Sequence, residues 1–264
     1  MNSNNIANIT IASGRLEIEY QFVGTTRPDA PLLVFLHEGL GSVSMWRDFP
    51  AKLCNAVGCR GLVYSRPGYG QSTPRASTEK WGVDFMHLQA REVLPALLNA
   101  LQIDATKNPP YLFGHSDGGS IALIHAATFP KNVAGNIVAA PHTFVEKLSV
   151  DSIAKTRDVY LTTDLRPKLA RHHRDPDSAF WGWNDIWLDP AFLAWDINTL
   201  LPQIACPVLA IQGVDDEYGT MAQIDNIAAA LPATTLVKLA SCGHSPHRDQ
   251  PDAVISAVRQ FIET

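Results

Sequence analysis

Ser116 stands in Gly114-His115-Ser116-Asp117-Gly118, between one apolar run (Tyr111-Leu112-Phe113) and another (Ile121-Ala122-Leu123-Ile124). A strand, a sharp turn and a helix in that order lift a serine hydroxyl clear of the backbone, and G-x-S-x-G is the sequence form of such a turn. The chemistry on offer is nucleophilic catalysis. A hydroxyl is a weak nucleophile at neutral pH, so it needs a base to take its proton and donors to hold the oxyanion that attack creates. Two later apolar runs end in groups of the required kinds. Val208-Leu209-Ala210-Ile211 leads into Gln212-Gly213-Val214-Asp215-Asp216-Glu217, and Leu236-Val237-Lys238-Leu239 leads into Ser241-Cys242-Gly243-His244.

These groups need a scaffold that gathers strand ends. Apolar runs recur at Leu32–Leu36, Gly61–Tyr64, Tyr111–Phe113, Val133–Ala139, Val208–Ile211 and Thr235–Leu239, after a hairpin-like stretch from Ile9 to Val23 with a turn at Ser13-Gly14. Segments of helical period lie between most of them: Met45–Val57, Thr78–Leu101 (with Pro95 expected to kink or shorten it), Ser116–Phe129, Thr220–Leu231 and Asp252–Ile262. Short strands buried on both faces and separated by helices predict an α/β fold with a mostly parallel, doubly wound sheet. In such sheets reactive groups collect beyond the carboxyl ends of the strands, where Ser116, the acids Asp215-Asp216-Glu217 and His244 all fall. The alternation breaks once, from about His142 to Leu200. This predicts a core of residues 1–141 and 201–264 with an insertion of helices at 142–200.

The chain order Ser, Asp, His on an alternating β/α pattern resembles the α/β-hydrolase family over nearly the whole chain. The resemblance implies that His244 deprotonates Ser116 and later protonates the leaving group, while a buried carboxylate fixes the imidazole. Asp216, three residues after Gly213, stands where many relatives carry that acid; Asp215 and Glu217 remain open as neighbours, as does His247 for the base. The resemblance places the oxyanion donors at the backbone N–H of Asp117 and, in Leu36-His37-Glu38-Gly39-Leu40-Gly41-Ser42, at Gly39. Glu38 occupies a position where relatives commonly have Gly. A carboxylate beside a developing oxyanion opposes catalysis unless it is paired or turned away, and Arg66 is a candidate partner. Relatives that displace halide or open epoxides typically carry Asp at the nucleophile position, so Ser116 points to acyl transfer.

The resemblance also makes the insertion a helical cap. Four of the six tryptophans lie in it, and Trp181, Trp183 and Trp187 are candidates for lining a pocket for an apolar or aromatic group. The adjacent His172 and His173 point in different directions on a helix and are read as solvated rather than as metal ligands. The expected activity is hydrolysis of a small carboxylic ester or lactone without cofactor or metal. Two alternatives stand beside it: a C–C hydrolase acting on a vinylogous ketone acid, in which Trp often follows the histidine where this chain has Ser245, and a ligand receptor on a hydrolase fold.

Composition narrows the partners. The chain has 264 residues, 46% hydrophobic and 18% charged, with a net charge of −5 and no basic stripe, which argues against nucleic acid. No apolar stretch reaches the roughly 18 to 20 residues that span a bilayer. The polar start lacks a basic and an apolar segment, and Cys54, Cys59, Cys206 and Cys242 show no zinc-type spacing; both features lead us to expect free thiols in a reducing cytoplasm. A cap surface rich in Trp can also serve as an interface between copies.

Overall fold

In the computed structural model, which describes residues 5–263, eight strands form one sheet in the order β1-β2-β4-β3-β5-β6-β7-β8. They are β1 (Asn5–Ile11), β2 (Gly14–Gly24), β3 (Leu32–Leu36), β4 (Arg60–Tyr64), β5 (Tyr111–His115), β6 (Gly135–Ala139), β7 (Val208–Gly213) and β8 (Thr235–Leu239). The first two make an antiparallel hairpin, with Ile11 opposite Gly14, and β2 meets β4 antiparallel; all later pairings are parallel. The first four residues of the polar start lie outside the described residues.

Side chains alternate across a strand, and both faces of this sheet are covered. On one face Leu33 and Phe35 of β3 and Leu209 and Ile211 of β7 pack with α1 (Phe49–Val57) and α10 (Pro251–Glu263). On the other, Val34 and Ala210 pack with α2 (Phe85–Leu88), α3 (Leu94–Ala100), α4 (Asp117–Thr128) and α8 (Ala222–Ala230). All five residues of β3 are buried, and so are all six of β7, which is why they read as unbroken apolar runs. Edge strand β1 alternates instead.

The helix expected over Thr78–Leu101 starts only at Phe85. Before it, Trp81 stacks on Phe85 at 5.6 Å and leans on Tyr69, which holds this stretch as a packed loop. Between α2 and α3 lies one wider π turn, Gln89–Val93. It contains Arg91, whose carbonyl the ring of Pro95 would meet in a regular α-helix, so the wide turn accommodates the proline within a run that continues on either side.

Between β6 and β7 the described chain forms helices joined by loops, with no strand pairing apart from one isolated bridge between Phe144 and Asp196. Helices α5 (Lys147–Thr162), α6 (Leu165–Leu169) and α7 (Pro176–Trp187) contact one another. Asp175 caps α7, its carboxylate accepting from the N–H groups of Asp177 and Ser178 at 3.0 Å, and Pro176 takes the first position, where no donor is needed. The short helix α9 (Pro246–Asp249) precedes α10. Among the described residues no helix is long and apolar enough to cross a membrane.

Candidate active site

Strand β5 ends at His115 and α4 begins at Asp117, so the whole reversal falls on Ser116, at φ 53° and ψ −122°. A non-glycine residue at positive φ is strained, and such strain persists only where the surroundings over-determine it. Here they do. The Ser116 N–H donates to Ala139 O at 2.9 Å and its carbonyl accepts from Gly119 at 2.8 Å. Gly118 packs so closely under β3 that a side chain there would strike the carbonyl of Leu36.

The two other strand ends converge on this turn. His244 Nδ1 lies 2.8 Å from Asp216 Oδ1, and Nε2 lies 2.9 Å from Ser116 Oγ. With its proton on Nδ1, the imidazole donates to the carboxylate and accepts from the hydroxyl. Asp216 Oδ1 also accepts from the N–H groups of Tyr218 (2.8 Å) and Gly219 (3.2 Å), and Gln212 donates to Oδ2. Burial alone would raise this carboxyl, but the hydrogen bond and charge of His244 outweigh it and hold Asp216 below the usual carboxylate range. Of the three neighbouring acids, only Asp216 reaches the ring. Asp215 is exposed, and Glu217 accepts from the His244 backbone N–H. His247 is buried elsewhere, against Trp46, Phe49 and His115.

A cavity of about 230 Å3 opens on Ser116 and His244. Trp183 and Trp187 line it, one helical turn apart on one face of α7. Trp181 does not, a departure from the expectation that groups it with them. Two positions before Trp183 it points some 200° around the helix, where it lies under Arg157 and borders a separate surface hollow with Arg75 and Trp81. Trp183 rests directly against Gly39, so a side chain at 39 would strike the indole. Gly39 and Asp117 both border the cavity beside Ser116.

Glu38 is paired, but not as expected. Its carboxylate lies 3.3 Å from Arg248 Nη2 and 3.5 Å from His115 Nδ1. Burial opposes its charge, yet these two partners hold the group well below its ordinary value. Arg66 instead donates through Nη2 to the backbone carbonyl of Glu38 at 2.8 Å and sits 3.5 Å from Asp117 Oδ2. Asp117 Oδ1 accepts from Trp187 Nε1 at 3.1 Å, and burial nevertheless pushes this carboxyl upward.

His173 is also corrected: it is buried rather than solvated. It accepts from Gly70 N–H (2.9 Å) and donates to Leu40 O (3.0 Å), tying the segment before α7 to two core loops. Neighbouring His172 faces outward, 2.9 Å from Ser44 Oγ.

Reading along the chain missed His142, which lines the cavity, packs against Trp187 at 4.8 Å and is driven down to about 3 by burial and by His244. It follows β6 by three positions, so the strand-end rule that located His244 also locates it. Arg248 carries no comparable local signal.

The sequence profile described as the Alpha/beta hydrolase family matches residues 33–257. A protein of Agrobacterium fabrum named for carbamate hydrolysis is 26% identical over 267 residues, covering 93% of this chain and 98% of its own. Among solved structures, an esterase from Thermogutta terrifontis superposes with TM-score 0.74 at 19% identity, covering 99% of this chain and 98% of that one. The enol-lactonase from Burkholderia xenovorans LB400 also gives 0.74, at 22% identity, covering 97% and 100%.

Proposed function

We propose that this chain, which belongs to the alpha/beta hydrolase family, cleaves a small carboxylic ester or lactone through an acyl-enzyme on Ser116. The observation that carries this reading is the unbroken hydrogen-bonded line from Ser116 Oγ through His244 to Asp216 on the wall of a cavity. His244 Nε2 takes the hydroxyl proton as Oγ attacks the substrate carbonyl, and Asp216 stabilises the imidazolium that results. The backbone N–H groups of Gly39 and Asp117 donate to the oxyanion. Collapse expels the alcohol, which leaves with the proton from Nε2, and water then repeats the two steps to release the acid. None of these steps calls for a cofactor.

The cavity supports a small substrate. Its volume lies below the roughly 300 to 1,000 Å3 typical of drug-sized ligands. Leu165, Leu169, Trp183 and Trp187 give it an apolar wall, and Thr156, Tyr218 and His142 give it a few polar atoms. Residues 142–200 act in this reading as the cap that closes the site. Similar proteins are named for ester, enol-lactone and carbamate substrates, which share attack at a carbonyl carbon. The four unpaired cysteines fit an enzyme working in the cytoplasm on a diffusible substrate.

The test is burst kinetics with a short-chain nitrophenyl ester, with the protein mass followed for an acyl adduct. A burst and an adduct that both vanish in Ser116→Ala are the expected result. Folded protein giving neither turnover nor adduct would reject esterase chemistry, leaving C–C hydrolysis, testable by turnover of a vinylogous ketone acid, or a receptor role, testable by thermal stabilisation with ligands.

A further inference from the structure

Resting on the reading of Ser116 as the nucleophile, we propose that Arg66 is a positioning residue that sets both oxyanion donors from behind. Its side chain is fully buried, and a single nitrogen, Nη2, reaches both the Glu38 carbonyl and the Asp117 carboxylate. These two contacts sit behind the two donors. The Glu38 carbonyl belongs to the peptide group that carries the Gly39 N–H; in a trans peptide the two point in opposite directions, so a donor gripping the oxygen fixes the direction of the N–H. It also polarises the amide and strengthens the N–H as a donor. Asp117 carries the second N–H itself, and its side chain is clamped between Arg66 and Trp187. One cation thus couples the loop after β3, the turn after β5 and, through Trp187, helix α7.

The form of the contact separates this role from plain loop support. An arginine placed for an ion pair often uses its planar fork, two N–H groups on one carboxylate. Here Nη2 is split between a carbonyl and a carboxylate oxygen at 3.5 Å, while Nε and Nη1 meet no acceptor among the described residues. The surroundings fix this arginine: its backbone N–H donates to His37 Nε2 at 3.0 Å, which anchors the main chain, and its guanidinium lies 4.7 Å over the ring of Tyr69. His37 Nδ1 and the Gly41 N–H address the same Glu38 carbonyl, at 2.7 Å and 3.1 Å. Three donors on one oxygen leave its peptide little freedom to turn.

The test compares the wild type with Arg66→Met and with Arg66→Met/Asp117→Asn. The single variant leaves a buried carboxylate without its cation and should lose stability; the double variant removes both charges and should recover much of it. Loss of one oxyanion donor lowers kcat by about 10²- to 10³-fold, and a drop of about 10²-fold with KM within about threefold is expected in both variants. The ester carbonyl stretch of the acyl-enzyme, trapped by rapid mixing, should rise in frequency in the double variant as the donors lose their grip on the oxygen. A double variant that is stable, has wild-type kcat and leaves the stretch unmoved would overturn the proposal while leaving the nucleophile assignment intact. Absence of the burst and adduct in the wild type would remove both together.

Discussion

Ser116, Asp216 and His244 each stand within five residues of the end of a β-strand, whereas Trp183 and Trp187, above them, stand on an α-helix. Strand ends in a parallel sheet lie side by side, so three local motifs meet without further instruction once the sheet forms. A helix turns 100° per residue, and which of its side chains face the site is set by the angle at which it docks. The floor of the site is therefore fixed by the sheet, and its roof by packing between helices. The same difference shows in the polar contacts. On the floor Asp216 alone receives four donors; in the roof the polar links to the core are spread over many side chains, among them His173 between two backbone loops, Trp187 on Asp117, Ser149 and Ser152 on the carbonyls of Tyr218 and Glu217, and Glu146 on Thr220 and Gln223.

The sharpest way to break this comparison is on the floor. Asp216→Asn should lower kcat by about 10⁴-fold, because the amide favours the wrong imidazole tautomer, while the exposed neighbour Asp215→Asn should stay within about twofold of wild type. Equal losses in the two variants would mean that the strand end does not select the acid. In the roof the effects should be smaller and fall on binding. Trp183→Leu should raise KM by about tenfold through lost contact, whereas Trp181→Leu, on the outer face of α7, should leave ester kinetics within about twofold. A reversed order, read from the same ester series, would show that α7 docks at another angle.

The smallest effect lies where floor and roof meet, at Glu38. A carboxyl held below its ordinary value of 4.5 adds stability that is full above that pH and is lost as pH falls through the lowered folded value. Glu38→Gln should thus melt about 2 to 4 °C lower than wild type at pH 7, about 1 kcal/mol, with the gap closing below pH ~4. A gap that does not change with pH would show that the Arg248 and His115 contacts add nothing through charge.

Much of the fold can be read along the chain because strands buried on both faces must be continuous apolar runs. Leu32–Leu36, buried throughout, is a strand with those same bounds; Thr235–Leu239 keeps its bounds too, although it is an edge strand that is only partly buried. The helix expected from Thr78 begins seven residues later, at Phe85, since Thr78–Asp84 has helical spacing yet is held by Trp81 against Phe85 and Tyr69, a tertiary contact with no local signature. Asp215, Asp216 and Glu217 could not be ranked from spacing, because three consecutive acids differ only in where the loop turns them.

The amino-acid sequence by itself determined the sheet, the serine turn and the strand ends that carry His244 and the three neighbouring acids, because each depends on periodicity and turn chemistry within a few residues. Tertiary structure decided which acid meets His244, that Arg66 answers to Asp117 and the Glu38 carbonyl rather than to the Glu38 carboxylate, that His173 is buried, and that Trp187 rather than Trp181 reaches the site. Those pairings join residues as far apart as positions 40 and 173, and no local pattern encodes them. They exist only when helix docking and burial in a low-dielectric interior make an unpaired polar group costly enough to select a single arrangement.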